Sequence, residues 1–167
     1  MTEFSVAGVR ITRREVLGAL AAAVLINLVG ALGVPFTTPD SAWFQALDKP
    51  WFYPPGAAFG VVWTVLFSLM GIAAFLVYRH GVENRAVRIA LGLFALQMVV
   101  NVAWSPAFFA AQELLLAFGI IVVLWALIVA TIAAFSWVDR RAALLLVPYL
   151  AWVSFAAVLN YSIWALN

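Results

Sequence analysis

The stretch LLLAFGIIVVLWALIVATIAAFSW, residues 114–137, holds no charged side chain and is long enough to cross a lipid bilayer as a helix. A hydrocarbon core of roughly 30 Å requires about 20 apolar residues at 1.5 Å of helical rise per residue. Backbone groups in lipid must pair within the protein, and a continuous apolar run fits a helix, whereas a membrane barrel needs alternating residues. This stretch therefore predicts a transmembrane helix.

The same composition continues on both sides of that stretch. Hydrophobic residues make up 67% of the 167-residue chain and charged residues 10%, against roughly 25% charged residues in a typical soluble domain. We predict an all-α membrane protein that is a single five-helix transmembrane domain over residues 1–167. The predicted spans are residues 16–34, 57–78, 89–109, 114–137 and 142–166.

The positive charges predict the orientation of the bundle. If five spans alternate in direction, eight arginines fall on one side and Lys49 alone falls on the other. The positive-inside rule then predicts a cytoplasmic N-terminus and a C-terminus outside. Because these basic residues lie in short connections and act as topology signals, we expect no nucleic-acid partner. The eight arginines are Arg10, Arg13, Arg14, Arg79, Arg85, Arg88, Arg140 and Arg141.

The reactive residue types needed for several functions are missing from the predicted spans. No acidic, basic or histidine side chain lies well inside a span, whereas ion-coupled transporters, proton pumps and voltage sensors need such groups at depth. The chain has no cysteine, and its one histidine, His80, lies in a connection, so a haem cannot be held by two axial histidines. We predict no catalytic residue, no metal site and no obligatory cofactor, and favour a binding protein over an enzyme.

Neutral polar and aromatic residues recur at three- and four-residue steps, which places them on one face of each of three spans. One interpretation is packing, in which the amides form hydrogen bonds between helices. The other is that the three faces line a pocket for a flat, largely apolar ligand such as a sterol or a tetrapyrrole. The faces comprise Phe59, Trp63, Phe67 and Met70, then Gln97, Asn101, Trp104, Ser105 and Phe108, and finally Tyr149, Trp152, Ala156, Asn160 and Ile163.

The first loop, residues 35–55, is long and rich in aromatic residues among its prolines, which is not typical of a disordered linker. Its rings can form an interfacial belt at the level of the lipid headgroups. Alternatively, the loop folds as a lid over the bundle, because a long loop in a compact domain is usually functional. Both interpretations remain open at this point.

Several short motifs run in a fixed order from the first loop to the last residue. They are KPWFYPP at residues 49–55, then Phe59, Trp63, Thr64, Met70 and Gly71, then Gln97, Asn101, Trp104, Ser105, Phe108 and Phe109, and then Pro148, Tyr149, Trp152, Phe155, Ala156, Leu159, Asn160 and Asn167. In this order and spacing the chain resembles the TspO/MBR translocator protein family, whose members are also described as peripheral benzodiazepine receptor-like or tryptophan-rich sensory proteins.

The resemblance implies a five-helix bundle, usually a homodimer, with a pocket below the first loop that binds porphyrins, sterols and synthetic ligands. Carried over by position, the ligand-binding residues would be Trp43, Phe44, Phe52, Phe59, Trp63, Gln97, Asn101, Ser105, Tyr149, Trp152 and Ala156. It also strengthens the interpretation of the first loop as a lid.

The chain departs from the family's pattern at two places. Some relatives that promote light-dependent porphyrin breakdown carry Trp where this chain has Phe52, and no basic residue follows Tyr161, as the proposed cholesterol motif of animal members requires. The leading hypothesis is therefore a membrane receptor or carrier for tetrapyrroles, with a sensory, stress-regulatory or transport role. The alternatives are a light-dependent porphyrin-degrading photocatalyst that uses Trp152, a binder of sterols or other lipid-like ligands, and a structural membrane subunit without a ligand.

Overall fold

The computed structural model describes residues 3–6 and 9–167, and the side chains from Thr12 onward. The side chain of Arg10, one of the predicted topology signals, lies outside this part. Two short strands, β1 (Glu3–Val6) and β2 (Val9–Thr12), pair antiparallel ahead of the first helix. The rest of the described chain is helical apart from its connections, which confirms the predicted all-α membrane bundle.

Seven α-helices follow the hairpin, and within the described residues five helical segments are long and apolar enough to cross a membrane. This confirms the five predicted spans, with ends shifted by a few residues. The side of the membrane that each end faces stays a prediction. The helices are α1 (Arg13–Gly30), α2 (Ala42–Ala46), α3 (Gly56–Tyr78), α4 (Arg85–Ser105), α5 (Leu114–Val138), α6 (Arg140–Leu145) and α7 (Val147–Leu166).

Capping residues determine where several helices begin. Thr12 caps α1: its hydroxyl accepts a hydrogen bond from the Glu15 amide at 3.3 Å, and its own amide donates to the Glu15 carboxylate at 2.9 Å. Asn84 accepts from the Ala86 amide at the start of α4, and Asp139 accepts from the Arg141 amide at the start of α6. Such caps satisfy amides that have no partner within the helix.

Prolines interrupt two of the spans. The fifth span, expected as one helix over residues 142–166, is divided at Leu146 into α6 and α7, because Pro148 has no amide hydrogen and its ring clashes with the carbonyl four residues earlier. At the end of α4, Pro106 begins one wide turn over Pro106–Ala110, closed by a hydrogen bond from the Ala111 amide to the Pro106 carbonyl at 2.8 Å. This turn directs Phe108 and Phe109 into the protein, where both are buried.

The arrangement of the helices leaves one pair of spans spread apart. α3 packs against α1 and α6, and α5 packs against α4, α6 and α7. α3 and α7 contact each other little. They are closest at the α6 end of the bundle and move apart toward the first loop. Aromatic side chains occupy this divergence, and it defines the candidate site.

Candidate ligand-binding site

Aromatic rings from α3 and α7 fill the space where these helices diverge. The rings of Phe59 and Trp152 lie 5.9 Å apart between centroids at an interplanar angle of 70°, and those of Trp63 and Tyr149 lie 6.1 Å apart at 64°. Both pairs adopt the edge-to-face geometry that aromatic quadrupoles favour. The structure therefore brings together four of the sequence-predicted ligand-binding residues.

The first loop covers this cluster and carries three further predicted residues, Trp43, Phe44 and Phe52. Its short helix α2 begins at Ser41, whose hydroxyl accepts a hydrogen bond from the Phe44 amide at 3.3 Å. Phe44 is 5% exposed, and its ring lies 6.2 Å from that of Phe108 and 5.3 Å from that of Phe109. Trp43 packs edge-to-face on Phe108 at 5.8 Å. The loop is thus seated on the wide turn that Pro106 begins.

The second half of the first loop contacts α7 and α3. The ring of Phe52 lies 6.2 Å from that of Phe155, which in turn contacts Trp152 at 5.4 Å. Tyr53 packs on Phe59 at 5.7 Å, and burial raises the pKa of its phenol. Trp51, by contrast, is 95% exposed. Phe44 is thus buried and Phe52 and Tyr53 are half-buried, as a lid requires, while Trp51 fits the interfacial belt.

Three polar residues form a chain of hydrogen bonds at the base of the cluster. The Tyr149 hydroxyl donates to the Gln97 side-chain oxygen at 2.9 Å, and the Asn101 amide donates to the Tyr149 hydroxyl at 3.0 Å. Gln97 and Tyr149 are each 1% exposed. Because both side chains are buried, this chain fixes the orientation of the Tyr149 ring beneath Trp63.

The remaining two predicted residues lie at the edge of the cluster or away from it. Ala156 packs beside the bundle core on α7. The Ser105 hydroxyl instead lies 3.4 Å from that of Thr37, which donates to it, and it faces Gly33 at the end of the first span. The structure does not join Ser105 to the aromatic cluster, because its side chain points toward the 3-10 helix Ala31–Phe36 that follows α1.

Two asparagine side chains that were not among the predicted ligand-binding residues join separate elements in the same region. Asn160 accepts a hydrogen bond from the indole of Trp104 at 3.0 Å and donates to the Leu114 carbonyl at 3.0 Å, which ties α7 to both α4 and α5. Asn167 bonds the main chain of Asp48 in the first loop. Both belong to the recurring motifs of the sequence, but their partners are distant along the chain, so spacing alone did not reveal their roles.

Two surface grooves lie apart from the aromatic cluster. One of about 470 Å³ is lined by Lys49, Trp51 and Tyr161 among others, and one of about 270 Å³ by Phe118, Trp125 and Ser154 among others. Neither is lined by a sequence-predicted ligand-binding residue. In the aromatic cluster between α3 and α7 the rings pack directly on one another, so a flat ligand can enter only if the rings move apart. Among the described residues, no group of three or more histidines and carboxylates could hold a metal ion.

Comparisons with known proteins agree with the sequence motifs. The family model described as the TspO/MBR family matches residues 21–165. The "Tryptophan-rich protein TspO" of Chlorobaculum tepidum is 44% identical over 83% of this chain and 89% of its own. The "Tryptophan-rich sensory protein" of Cereibacter sphaeroides is 35% identical over 87% and 92%, and the "Translocator protein" of Ovis aries is 38% identical over 83% of each chain.

Proposed function

Because the chain belongs to the TspO/MBR family, we propose that it is a membrane receptor or carrier that holds a tetrapyrrole between α3 and α7. The names of its relatives, sensory and translocator proteins, support a sensory or transport role in the membrane. The observation that carries the ligand class is the aromatic cluster of Phe59, Trp63 and Trp152 above the Gln97–Tyr149–Asn101 chain.

The chemistry of this cluster suits a flat macrocycle. Indole and phenyl rings offer faces on which a conjugated ring can stack, and stacked aromatic pairs contribute about 0.5–1.5 kcal/mol each beyond the area they bury. A few fixed polar groups within an apolar pocket orient such a ligand. In this proposal Asn101 and Tyr149, which are hydrogen-bonded to each other, orient the ligand from the base of the cluster. The Trp and Phe side chains therefore supply affinity and the amide chain supplies orientation.

The placement of charge favours a bound ligand over a path for ions. In the described spans, the charged side chains lie at the helix ends opposite the first loop, for example Arg85 and Arg88 at the start of α4 and Arg140 at the start of α6. A polar path through a bilayer is usually marked by ionisable groups at depth. The homodimer implied by the resemblance is part of the same proposal and awaits a measurement of mass in nanodiscs.

A porphyrin titration tests the pocket assignment. Protoporphyrin IX is added to the nanodisc-reconstituted protein and quenching of tryptophan fluorescence is followed. We expect saturable binding, and we expect Trp152→Ala combined with Asn101→Ala to raise the Kd at least about tenfold, because a stacking face and an orienting amide are both removed. Trp137→Phe, at a position 81% exposed to the surroundings, is the matched control. An unchanged Kd in the double variant would show that the pocket lies elsewhere.

A structural subunit without a ligand is the second candidate, and one observation favours it. The hydrogen bonds of Gln97, Asn101 and Tyr149 are made with one another, as expected of residues that only pack helices together. The two candidates differ in a simple respect. If porphyrin, sterol and synthetic ligands all fail to bind saturably while Asn101→Ala still lowers the stability of the protein, the structural role is supported and the receptor is excluded.

A further inference from the structure

The side chain of Asn167 ties the first loop to the end of α7. Its oxygen accepts a hydrogen bond from the Asp48 amide at 3.0 Å, and its nitrogen donates to the Asp48 carbonyl at 3.1 Å. A third hydrogen bond, from the same nitrogen to the Ile163 carbonyl at 2.8 Å, fixes the side chain on its own helix. The amide of Asn167 thus pairs with the main chain of Asp48 as one antiparallel strand residue pairs with another.

The loop segment next to this pair is held together from within. The Lys49 ammonium donates hydrogen bonds to the carbonyls of Phe44 at 2.8 Å and Leu47 at 3.1 Å, and it lies 4.6 Å from the centroid of the Phe44 ring. Phe44 and Asp48 are therefore parts of one small folded unit. A tether at Asp48 consequently also holds Phe44 on Phe108 and Phe109.

We propose that Asn167 is a positioning residue that latches the first loop closed over the aromatic cluster, and that release of the Asp48–Asn167 pair admits and discharges the ligand. The identity of the ligand rests on the proposed function, whereas the latch is a property of the loop itself. The rings of the cluster pack on one another, so a ligand passes only when the loop and its ring contacts lift. In this proposal the two hydrogen bonds between Asp48 and Asn167 are the same in the free and in the ligand-bound protein.

The geometry predicts how much the latch slows exchange. Each net hydrogen bond shifts an equilibrium by roughly two- to tenfold. Loss of the two bonds to Asp48 therefore raises the population of the open loop by roughly 4- to 100-fold. The loop loses the same two hydrogen bonds on opening whether the protein is free or bound to ligand. Without these bonds the association and dissociation rates therefore rise together, and the Kd changes little.

The test compares Asn167→Ala with the unaltered protein, both in nanodiscs. Stopped-flow fluorescence with protoporphyrin IX is expected to show both the association and the dissociation rate rising by roughly 4- to 100-fold, with the Kd within about threefold of the original. Ser162→Ala is the matched control, because its hydroxyl donates only to the Val158 carbonyl of the same helix, and it should leave both rates unchanged. Unchanged rates in Asn167→Ala would overturn the latch. A higher Kd without faster association would also overturn it, since that is the sign of a damaged pocket.

Hydrogen exchange without ligand separates this proposal from the proposed function. In Asn167→Ala, amide exchange in residues 44–49 should become faster while exchange in α3 and α7 stays as in the unaltered protein, because the tether is lost and the other lost bond, to the Ile163 carbonyl, involves no main-chain amide. If the unaltered protein binds no porphyrin but this loop-specific change appears, the proposed ligand is wrong and the latch stands. If exchange in residues 44–49 does not change, the latch is refuted regardless of what the protein binds.

Discussion

Tyr149 occupies the position on which the candidate site depends most. Its ring meets Trp63, and its hydroxyl stands between Asn101 and Gln97 in a region from which solvent is excluded. A buried polar group that loses its partner lowers the stability by more than the hydrogen bond itself contributes, because the group has already lost its hydration. The same phenol therefore serves two purposes, holding α4 to α7 and setting the geometry of the rings.

Removal of the Tyr149 hydroxyl should destabilise the bundle. Tyr149→Phe keeps the ring but leaves the Gln97 oxygen without its donor, and we expect the free energy of unfolding in mixed detergent to fall by about 1–3 kcal/mol. Tyr149→Phe combined with Gln97→Leu removes both partners and should recover much of the loss. If the double variant is no more stable than Tyr149→Phe, the hydrogen bond does not carry the effect.

At the scale of helices and loops, packing depends on close approach at a few positions. A Cβ added to Gly71 would lie 2.5 Å from the Ala22 carbonyl oxygen, so α1 and α3 can meet there only because residue 71 has no side chain. At the start of α6, the Asp139 carboxylate accepts a hydrogen bond from the Arg141 amide at 2.9 Å and lies 3.4 Å from the His80 ring.

Gly71→Ala should push α1 and α3 apart. The added methyl group would overlap backbone atoms, which cannot move aside as a flexible side chain can, and overpacking costs about 1–3 kcal/mol. We expect a lower midpoint in thermal or detergent unfolding. Gly119→Ala is the control, because nothing lies within 4 Å of the Cβ it would carry. Equal midpoints for the two variants would show that the approach of α1 to α3 is not limited at Gly71.

Asp139 should make the stability of the α6 region depend on acid pH. Partial burial opposes ionisation of its carboxyl, but hydrogen bonds from the Arg141 amide and the His80 ring outweigh this, so the pKa of Asp139 lies below its usual value. A carboxyl whose pKa is lowered on folding stabilises the protein above its unfolded pKa of about 3.9 and loses this effect as the pH falls through the folded pKa. Unfolding midpoints measured between about pH 6 and pH 3 should therefore fall more steeply in the unaltered protein than in Asp139→Asn, which still provides an N-cap. Parallel curves would contradict this.

For the molecule as a whole, the sequence predicts what is repeated along the chain and misses what joins distant parts of it. The five spans follow from apolar length and were confirmed. The break at Leu146 and the wide turn after Ser105 were missed, although Pro148 and Pro106 were visible signals. Asn167 and Asp48 are 119 residues apart, and no periodicity links them. Ser105 shares a helical face with Asn101 by spacing, yet its neighbour in space is Thr37.

If the protein holds a tetrapyrrole between α3 and α7, this pigment should co-purify with it. The protein is purified under dim light from cells that produce porphyrin, and its Soret absorption is compared with that of Trp152→Ala combined with Asn101→Ala. We expect a Soret band at about one porphyrin per chain or less, retained in Trp137→Phe and lost in the double variant. A protein without a Soret band, or a band of equal strength in the double variant, would overturn the assignment of a tetrapyrrole to this site.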